Sequence, residues 1–177
     1  MLLPSPCELV DFVTNSNKIE GEPTDTAHPL FQSHLAACQL VIEAAESGWP
    51  PPHPRRIHEV LMVPEPHKMP GQYRPPHDER GPGQVGKEPL TPAYLIGSQM
   101  VDLWDEVCAV VSAHGKVEDA GSWAWSVHDR FERIHPFLDG NGRVGRILMN
   151  QLRLQLGLPW LTVRFEDREQ YMARFAR

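Results

Sequence analysis

The amino-acid sequence predicts an all-α fold, and three observations carry this prediction. Apolar residues recur every three to four positions over four long segments, which is the spacing of one buried helix face. No segment of the 177-residue chain alternates apolar and polar residues as a half-buried strand does. Twelve of the 18 prolines lie in residues 50–92, and because proline removes a backbone donor, this stretch is predicted to be mostly loop or short extended pieces. We therefore expect a helical bundle with one irregular insertion.

Two long helices are predicted on either side of the proline-rich stretch. The first covers about residues 28–47, and Gly48 followed by Pro50 supplies its stop signal. The second begins at Thr91 and Pro92, which are read as an N-cap and a first-turn proline.

Two further helices and a short C-terminal one complete the predicted bundle. The third long helix begins at about Ser122 and ends near Ile134, and the fourth begins near Asn141 and ends at Gly157. A short last helix is expected from about Asp167. The third and fourth helices are thus joined by a loop of only a few residues.

Composition restricts the class of protein. With 41% hydrophobic and 23% charged residues, the chain is expected to form one globular domain over residues 1–177. No apolar run approaches the ~20 residues of a membrane span, and the N-terminus lacks the basic region of a signal peptide. We expect a cytoplasmic protein without a membrane partner.

The charge distribution argues against nucleic acid as a partner. The net charge is −6, whereas proteins that bind the phosphate backbone are usually basic over a face. The sign reverses locally, because residues 128–153 hold five arginines against three acids. A small cationic pocket fits this pattern better than a nucleic-acid groove.

The densest group of special residues is HPFLDGNGRVGR, residues 135–146. It is predicted to be a loop that leads directly into a helix N-terminus, where backbone N–H groups and the helix dipole attract negative charge. Gly140 and Gly142 allow the backbone to approach a ligand closely, and Asn141 can cap the helix or bind an oxygen. These residues predict an anion hole.

The charged residues of the motif predict chemistry on a polyphosphate. Arg143 and Arg146 are three positions apart, so both lie on one helix face and can reach further phosphates. Asp139 is suited to hold a Mg²⁺ that bridges phosphate oxygens. His135, with an unperturbed pKa of about 6.5, is suited to accept a proton from an attacking hydroxyl.

These residues match in full the motif HxFx(D/E)GNGRxxR, and the chain therefore resembles the Fic (Fido) domain family. Members of that family mostly transfer AMP from ATP to a hydroxyl of a protein, and their fold is a helical bundle. The resemblance implies ATP as substrate, Mg²⁺ as cofactor and a hydroxyl-bearing target protein as partner. The roles it implies are: His135 as general base, Asp139 as metal ligand, Gly140, Asn141, Gly142 and Arg143 as phosphate contacts, Arg146 as partner of the γ-phosphate, and a buried Phe137.

A second resemblance lies in SNKIEG, residues 16–21, which is similar to the inhibitory signature (S/T)xxxE(G/N) of Fic proteins that block their own ATP site. Ser16 and Glu20 share a helix face, and Gly21 ends the helix. The resemblance implies that residues 1–22 form an inhibitory helix whose Glu20 occupies the place that Arg146 would offer to a γ-phosphate. The expected activity is autoinhibited AMP transfer.

A third resemblance concerns the flap, a β-hairpin that holds the target in this family. Residues 64–91 are assigned to the flap and the proline-rich loop, before a catalytic helical core over residues 92–160. Within MPGQYR, residues 69–74, the pair Pro70 and Gly71 fits a type II turn. The residues implied in target docking are Gly71, Gln72, Tyr73 and Arg74. Two prolines follow at once, so a regular strand directly after this segment is not expected.

Several alternatives stay open at this point. The same fold could remove AMP from a modified protein or transfer another phosphate-containing group, and a nucleotide-binding interaction module would need no base. His128 could join His135 and Asp139 in a metal hydrolase, although its helical position favours packing. The histidines His53, His58, His67 and His77, scattered among prolines, are expected at the surface. Neither the target, nor a homo-oligomeric state, nor whether the chain is truncated can be decided from the sequence.

Overall fold

The computed structural model describes residues 3–76, 84–85, 88–113 and 117–175, and these residues form seven α-helices. The helices are α1 Pro6–Glu20, α2 Pro29–Glu46, α3 Pro54–Leu61, α4 Ala93–Ser112, α5 Ala120–Ile134, α6 Asn141–Gln155 and α7 Arg168–Ala173. Two 3₁₀ turns cover Pro66–Lys68 and Phe165–Asp167, and β1 Gln84–Val85 pairs antiparallel with β2 Glu88–Pro89. The all-α prediction is confirmed. The small hairpin formed by the two-residue strands β1 and β2 lies in the stretch assigned to the flap.

Helix α6 lies at the centre of the bundle. It packs against α5 most extensively and also against α1, α2 and α3. Its apolar side chains Val144, Ile147, Leu148 and Leu152 are fully buried in the main core. The polar side chains of its first two turns, Asn141, Arg143 and Arg146, are buried as well. These two turns form the inner wall of the site described below.

Helix α1 is fixed at both ends. Ser5 and Glu8 form a capping box at its start, with the Ser5 N–H donating to Glu8 Oε2 at 2.8 Å. Gly21 ends the helix in the left-handed conformation with φ 76°, as predicted. The Asn17 amide donates to the Pro23 carbonyl at 2.6 Å and its Oδ1 bonds His34 Nδ1 at 2.7 Å. These bonds hold the end of α1 against α2.

The described part of the proline-rich stretch is mostly loop and short extended pieces, as predicted, but it also contains helix α3, which was not predicted. Pro54 takes the first helical position, where the missing N–H costs no hydrogen bond, and the His53 side chain caps the helix. Ile57 and Leu61 are fully buried and anchor α3 in the core. Proline therefore starts this helix rather than preventing it.

The start of α4 also differs slightly from the prediction. Pro92, not Thr91, is the N-cap, and no side chain caps this helix. Thr91 Oγ1 instead donates to Gln99 Oε1 at 2.7 Å, and the Thr91 N–H donates to the Arg133 carbonyl at 3.2 Å. Thr91 thus joins the flap region to α5.

Among the described helices, none has both the length and the apolar character that crossing a membrane requires.

Two helical glycines predict opposite responses to alanine. In α4, Gly97 is exposed and an added Cβ meets no atom within 4 Å, so Gly97→Ala should raise the free energy of unfolding by about 0.5–1 kcal/mol. In α6, a Cβ on Gly145 would lie 2.3 Å from Glu132 Oε1 and 2.9 Å from His128 Nδ1. Both neighbours are buried, so Gly145→Ala should lower the free energy of unfolding by about 1–3 kcal/mol, although alanine has a better helix propensity than glycine. Urea denaturation measures both, and a stabilised Gly145→Ala would contradict the packing described here.

Candidate active site

The loop between α5 and α6 is closed by Asn141. Its Oδ1 accepts from the Phe137 N–H and its Nδ2 donates to the Phe137 carbonyl, both at 2.9 Å. Phe137 is fully buried, as predicted, and stacks on the His58 ring with centroids 3.8 Å apart. The Asn141 side chain is therefore committed to the loop, and a ligand oxygen would meet the backbone of Asn141 rather than its amide.

The two predicted anion-hole glycines are required for different steric reasons. Gly140 has φ 75°, and a Cβ there would lie 2.3 Å from the Met62 methyl group. A Cβ on Gly142 would lie 2.2 Å from Glu20 Oε1. The Glu20 carboxylate thus lies directly over the N-terminal turn of α6, where backbone N–H groups have no helical acceptor.

Arg146 is completely buried, and its donors are taken by α1 and α7. Nε donates to Ser16 Oγ at 3.0 Å, Nη2 donates to the Ser16 carbonyl at 3.1 Å and to Glu20 Oε1 at 2.7 Å, and Nη1 donates to the Tyr171 hydroxyl at 3.1 Å. Burial opposes the charge, but Tyr171 and the Glu20 carboxylate raise the pKa of Arg146 above its ordinary value. The structure brings together Ser16, Glu20 and Arg146 as the sequence predicts.

Arg143 is the second buried cation of α6. Its Nη2 lies 3.0 Å from Glu22 Oε1 and 3.7 Å from Asp139 Oδ1, while only 1% of the side chain is exposed. Its Nε and Nη1 have no hydrogen-bond partner within the described parts of the chain. Glu22, two residues after Glu20, was not singled out from the sequence, because nothing local marks a residue that follows a helix end as an arginine partner.

His135 ends α5 in the left-handed conformation with φ 48°. Its Nδ1 is buried and meets no hydrogen-bond partner among the described residues. Burial lowers the pKa of His135 to about 4, and the nearby Arg74 guanidinium acts in the same direction. The imidazole is therefore neutral at neutral pH and able to accept a proton, at a lower basicity than the unperturbed value of about 6.5 suggests.

The segment MPGQYR packs against the motif loop. The Gln72 N–H donates to the Met69 carbonyl at 3.0 Å and Gly71 has φ 70°, as the predicted type II turn requires. The Arg74 N–H donates to Pro136 O at 2.8 Å, and its side chain donates to His135 O at 2.9 Å and to Thr91 O.

Tyr73 packs beside Phe137 with ring centroids 5.8 Å apart, whereas Gln72 is exposed. In this structure Gly71, Tyr73 and Arg74 fix the position of the loop that carries His135. The part of the proline-rich stretch at residues 77–83 lies outside the described residues, as does the predicted surface residue His77.

Asp139 lies at the mouth of the site. Its Oδ2 accepts from Lys68 Nζ at 2.7 Å and its Oδ1 accepts from the Gly140 N–H at 2.6 Å. Burial raises the pKa of Asp139, but the hydrogen bonds from Lys68 and Gly140 outweigh it and leave the pKa lowered. Carboxylate oxygens of Glu22, Glu65 and Asp139 lie within 4.8 Å of one another, so the donor set suits a hard divalent cation.

Two histidines give opposite outcomes for the sequence predictions. His58 was expected at the surface, and this was wrong: it is fully buried, its Nδ1 accepts from the Gly71 N–H at 2.9 Å, and its Nε2 lies 3.2 Å from the Asp139 carbonyl. His58 lies between Ile57 and Leu61 on an amphipathic helix, and this spacing indicates a buried position. The many prolines nearby argued against a helix here, so the spacing was not used. His128 is buried, as the packing interpretation held, and its Nε2 lies 2.9 Å from the Tyr171 hydroxyl. It therefore does not join His135 and Asp139 in a metal site.

The Fic/DOC family profile matches residues 50–152, which include the whole loop, all of α5 and α6 as far as Leu152. The chain belongs to the Fic/DOC family. Among solved structures, a Fic domain-containing signaling protein from Bacteroides thetaiotaomicron aligns with a TM-score of 0.77 at 22% identity, over 93% of this chain and 69% of that one. Fic-1 from C. elegans aligns with a TM-score of 0.67 at 17% identity, over 93% of this chain and 53% of that one. These neighbours confirm the Fic fold.

Curated relatives of this Fic chain align over shorter segments. A probable protein adenylyltransferase from Aquifex aeolicus is 56% identical over 46 residues, which is 26% of this chain and 14% of that protein. The protein adenylyltransferase Fic of Nematostella vectensis is 48% identical over 44 residues, 25% of this chain and 10% of that protein. The aligned part is thus a small fraction of either relative.

The buried histidines make the stability of this Fic domain sensitive to acid. Burial lowers the pKa of His58 to about 4 and that of His128 to about 3, and holds the pKa of His34 well below its usual value. With His135, four imidazoles stay neutral in the folded state while the unfolded chain binds protons below about pH 6.5. Glu132 acts in the opposite direction on stability. Burial raises its pKa to about 8, so in this pH range the folded state binds one proton there that the unfolded chain largely lacks.

The free energy of unfolding should therefore fall by about 4–5 kcal/mol between pH 6.5 and pH 5.0, at about 1.4 kcal/mol per pH unit for each extra proton bound by the unfolded chain. Urea denaturation at the two pH values measures this difference. His58→Gln should reduce the difference by roughly 1.5 kcal/mol, whereas the exposed His67→Gln should leave it unchanged. Equal stability at both pH values would show that these imidazoles are not held neutral.

Proposed function

We propose that the protein is an autoinhibited adenylyltransferase that moves AMP from ATP to a hydroxyl side chain of a target protein or of itself. One observation carries the proposal: a carboxylate from α1 lies over the N-terminus of α6 and pairs with the buried Arg146, at the place a phosphate group would take. The names of the curated relatives support AMP transfer as the reaction.

Under this proposal, each residue of the loop has a role in an in-line transfer. The first backbone N–H groups of α6 and the dipole of that helix would bind phosphate oxygens beside Gly140 and Gly142. The neutral His135 would accept the proton of the attacking hydroxyl. The hydroxyl oxygen bonds to the α-phosphorus as the bond to the β-phosphate oxygen breaks, and pyrophosphate leaves. Arg143 and Arg146 would hold the negative charge of the departing group.

Asp139 is the residue that would hold Mg²⁺, and Glu22 and Glu65 lie close enough to contribute. Such an ion would neutralise and orient the phosphate oxygens. In the described conformation Lys68 donates to Asp139 at 2.7 Å, so its ammonium group takes the place of a cation there. A metal bound through Asp139 Oδ2 would compete with Lys68 for this oxygen.

The inhibition follows from competition for Arg146. While Glu20 accepts from Nη2, a γ-phosphate cannot reach this guanidinium, and the α-phosphate is then misaligned for attack even when the nucleotide binds. Removal of AMP by the same residues is the alternative function, because His135 and Asp139 would equally activate and orient a water molecule. A module that binds nucleotide without turnover is disfavoured, since such a module needs no neutral imidazole beside the anion hole.

We predict that Glu20→Gly raises autoadenylylation by about ten- to a hundredfold. A hydrogen bond to a charged group contributes about 1.5–3 kcal/mol, and its loss shifts the population toward the competent state by that factor. Incorporation of labelled AMP under saturating ATP and Mg²⁺ measures the effect. Glu46→Gly is the matched control, because Glu46 is likewise an exposed last residue of its helix but forms no ion pair with the described residues.

The double variant Glu20→Gly with Arg146→Ala should lose this gain, because no partner for the γ-phosphate remains. If wild type and Glu20→Gly incorporate AMP equally, α1 is not inhibitory, and the assignment of the catalytic loop is unaffected.

We predict that His135→Asn, made in the Glu20→Gly background, lowers the transfer rate by about 10²–10⁴ while ATP binding stays nearly intact. Asparagine tolerates the left-handed backbone at this position but cannot serve as a base. Rates from labelled AMP incorporation and affinities from calorimetry separate the two effects, with the exposed His67→Asn as control. Unchanged turnover would remove His135 from the mechanism.

A further inference from the structure

Tyr171 is the member of the Arg146 site that the proposed mechanism does not use. It lies on α7, 25 residues after Arg146, and 5% of it is exposed. Its ring packs with Ile19, Leu90 and Phe175 in a small second core. Its hydroxyl points instead at two polar groups, Arg146 Nη1 at 3.1 Å and His128 Nε2 at 2.9 Å.

We propose that Tyr171 and His128 are positioning residues that hold the Arg146 guanidinium in the orientation required for a γ-phosphate. This inference rests on the proposed function. The carboxylate of Glu20 binds only Nη2, and Ser16 binds Nε and Nη2, so Tyr171 is the described partner of Nη1. No other described residue accepts a hydrogen bond from Nη1.

The direction of the hydrogen bonds is fixed by the chemistry of the groups. A guanidinium can only donate, so the Tyr171 oxygen accepts from Arg146 and its O–H is left to donate to His128 Nε2. His128 must then be neutral with its proton on Nδ1. Burial, together with Arg146 and Arg174, lowers the pKa of His128 to about 3, which agrees with a neutral ring.

The other ring nitrogen of His128, Nδ1, lies between Glu132 and the backbone of α6. His128 Nδ1 lies 3.7 Å from Glu132 Oε1, and both groups lie against the backbone of Gly145 in α6. A side chain at position 145 would collide with both of them. The glycine just before Arg146 therefore lets α5 bring His128 close enough to orient the Tyr171 hydroxyl.

The test compares Tyr171→Phe with Tyr94→Phe, both in the Glu20→Gly background. Phenylalanine keeps the packed ring of Tyr171 and removes only the hydroxyl, and Tyr94 is a matched control because 78% of it is exposed. The first measurement is the order parameter of the Arg146 Nε–H group by nitrogen-15 NMR, with the signal assigned by its loss in Arg146→Lys. The second is the affinity for a non-hydrolysable ATP analogue and for ADP.

We expect Tyr171→Phe to lower the Arg146 order parameter and to reduce the preference for the ATP analogue over ADP by about two- to tenfold, the net value of one hydrogen bond. ADP affinity should stay the same, and Tyr94→Phe should change neither measurement. An unchanged Arg146 order parameter overturns the inference, and so does an equal loss of ATP and ADP affinity, which would indicate general damage to the site. If Arg146 loosens in Tyr171→Phe but the parent never prefers the ATP analogue, the positioning role stands and the γ-phosphate role of Arg146 fails.

Discussion

The complete burial of the Arg146 guanidinium is the constraint on which the rest of the site depends. A charge removed from water is strongly destabilising unless it is paired and its donors are satisfied. The partners of Arg146 come from sequence-distant helices: Ser16 and Glu20 on α1 and Tyr171 on α7. Docking of both terminal helices against α6 is therefore an electrostatic requirement of the fold, beyond the apolar surface those helices bury.

The glycines of the motif leave space for side chains that pack directly against their backbone. At positions 140, 142 and 145 an added Cβ would collide with Met62, Glu20 and Glu132 respectively. Only the first of the three has a positive φ. The start of α6 therefore has room for the Met62 methyl group, which follows α3, and for the carboxyl groups of Glu20 on α1 and Glu132 on α5.

Local patterns explain which parts of this site could be predicted from sequence. The spacing of apolar residues placed α2, α5 and α6 closely, and the charged residues of the loop predicted the anion hole, Arg146 included. Glu22, His58 and Tyr171 were missed because each acts over a long sequence separation, such as the 81 residues between His58 and Asp139. Even the Glu20 pairing, across 126 residues, came from the family resemblance and not from periodicity.

The short segment from Glu20 to Glu22 pairs with the buried Arg143 and Arg146 of α6, and its two carboxylates differ in how readily they could leave. Glu22 lies beyond the helix end, so its pairing with Arg143 can break by rotation of an irregular segment. Glu20 is the last residue of α1, and Asn17 ties this helix end to Pro23 and His34. Withdrawal of Glu20 from Arg146 therefore requires either a rotamer change toward solvent or movement of the helix end. Since a third of its side chain is already exposed, the rotamer change is the less costly of the two. Under the proposed function, a polyphosphate would then meet the same electrostatic requirement that Glu20 meets now, and the fold would stay intact while the occupant of Arg146 changes.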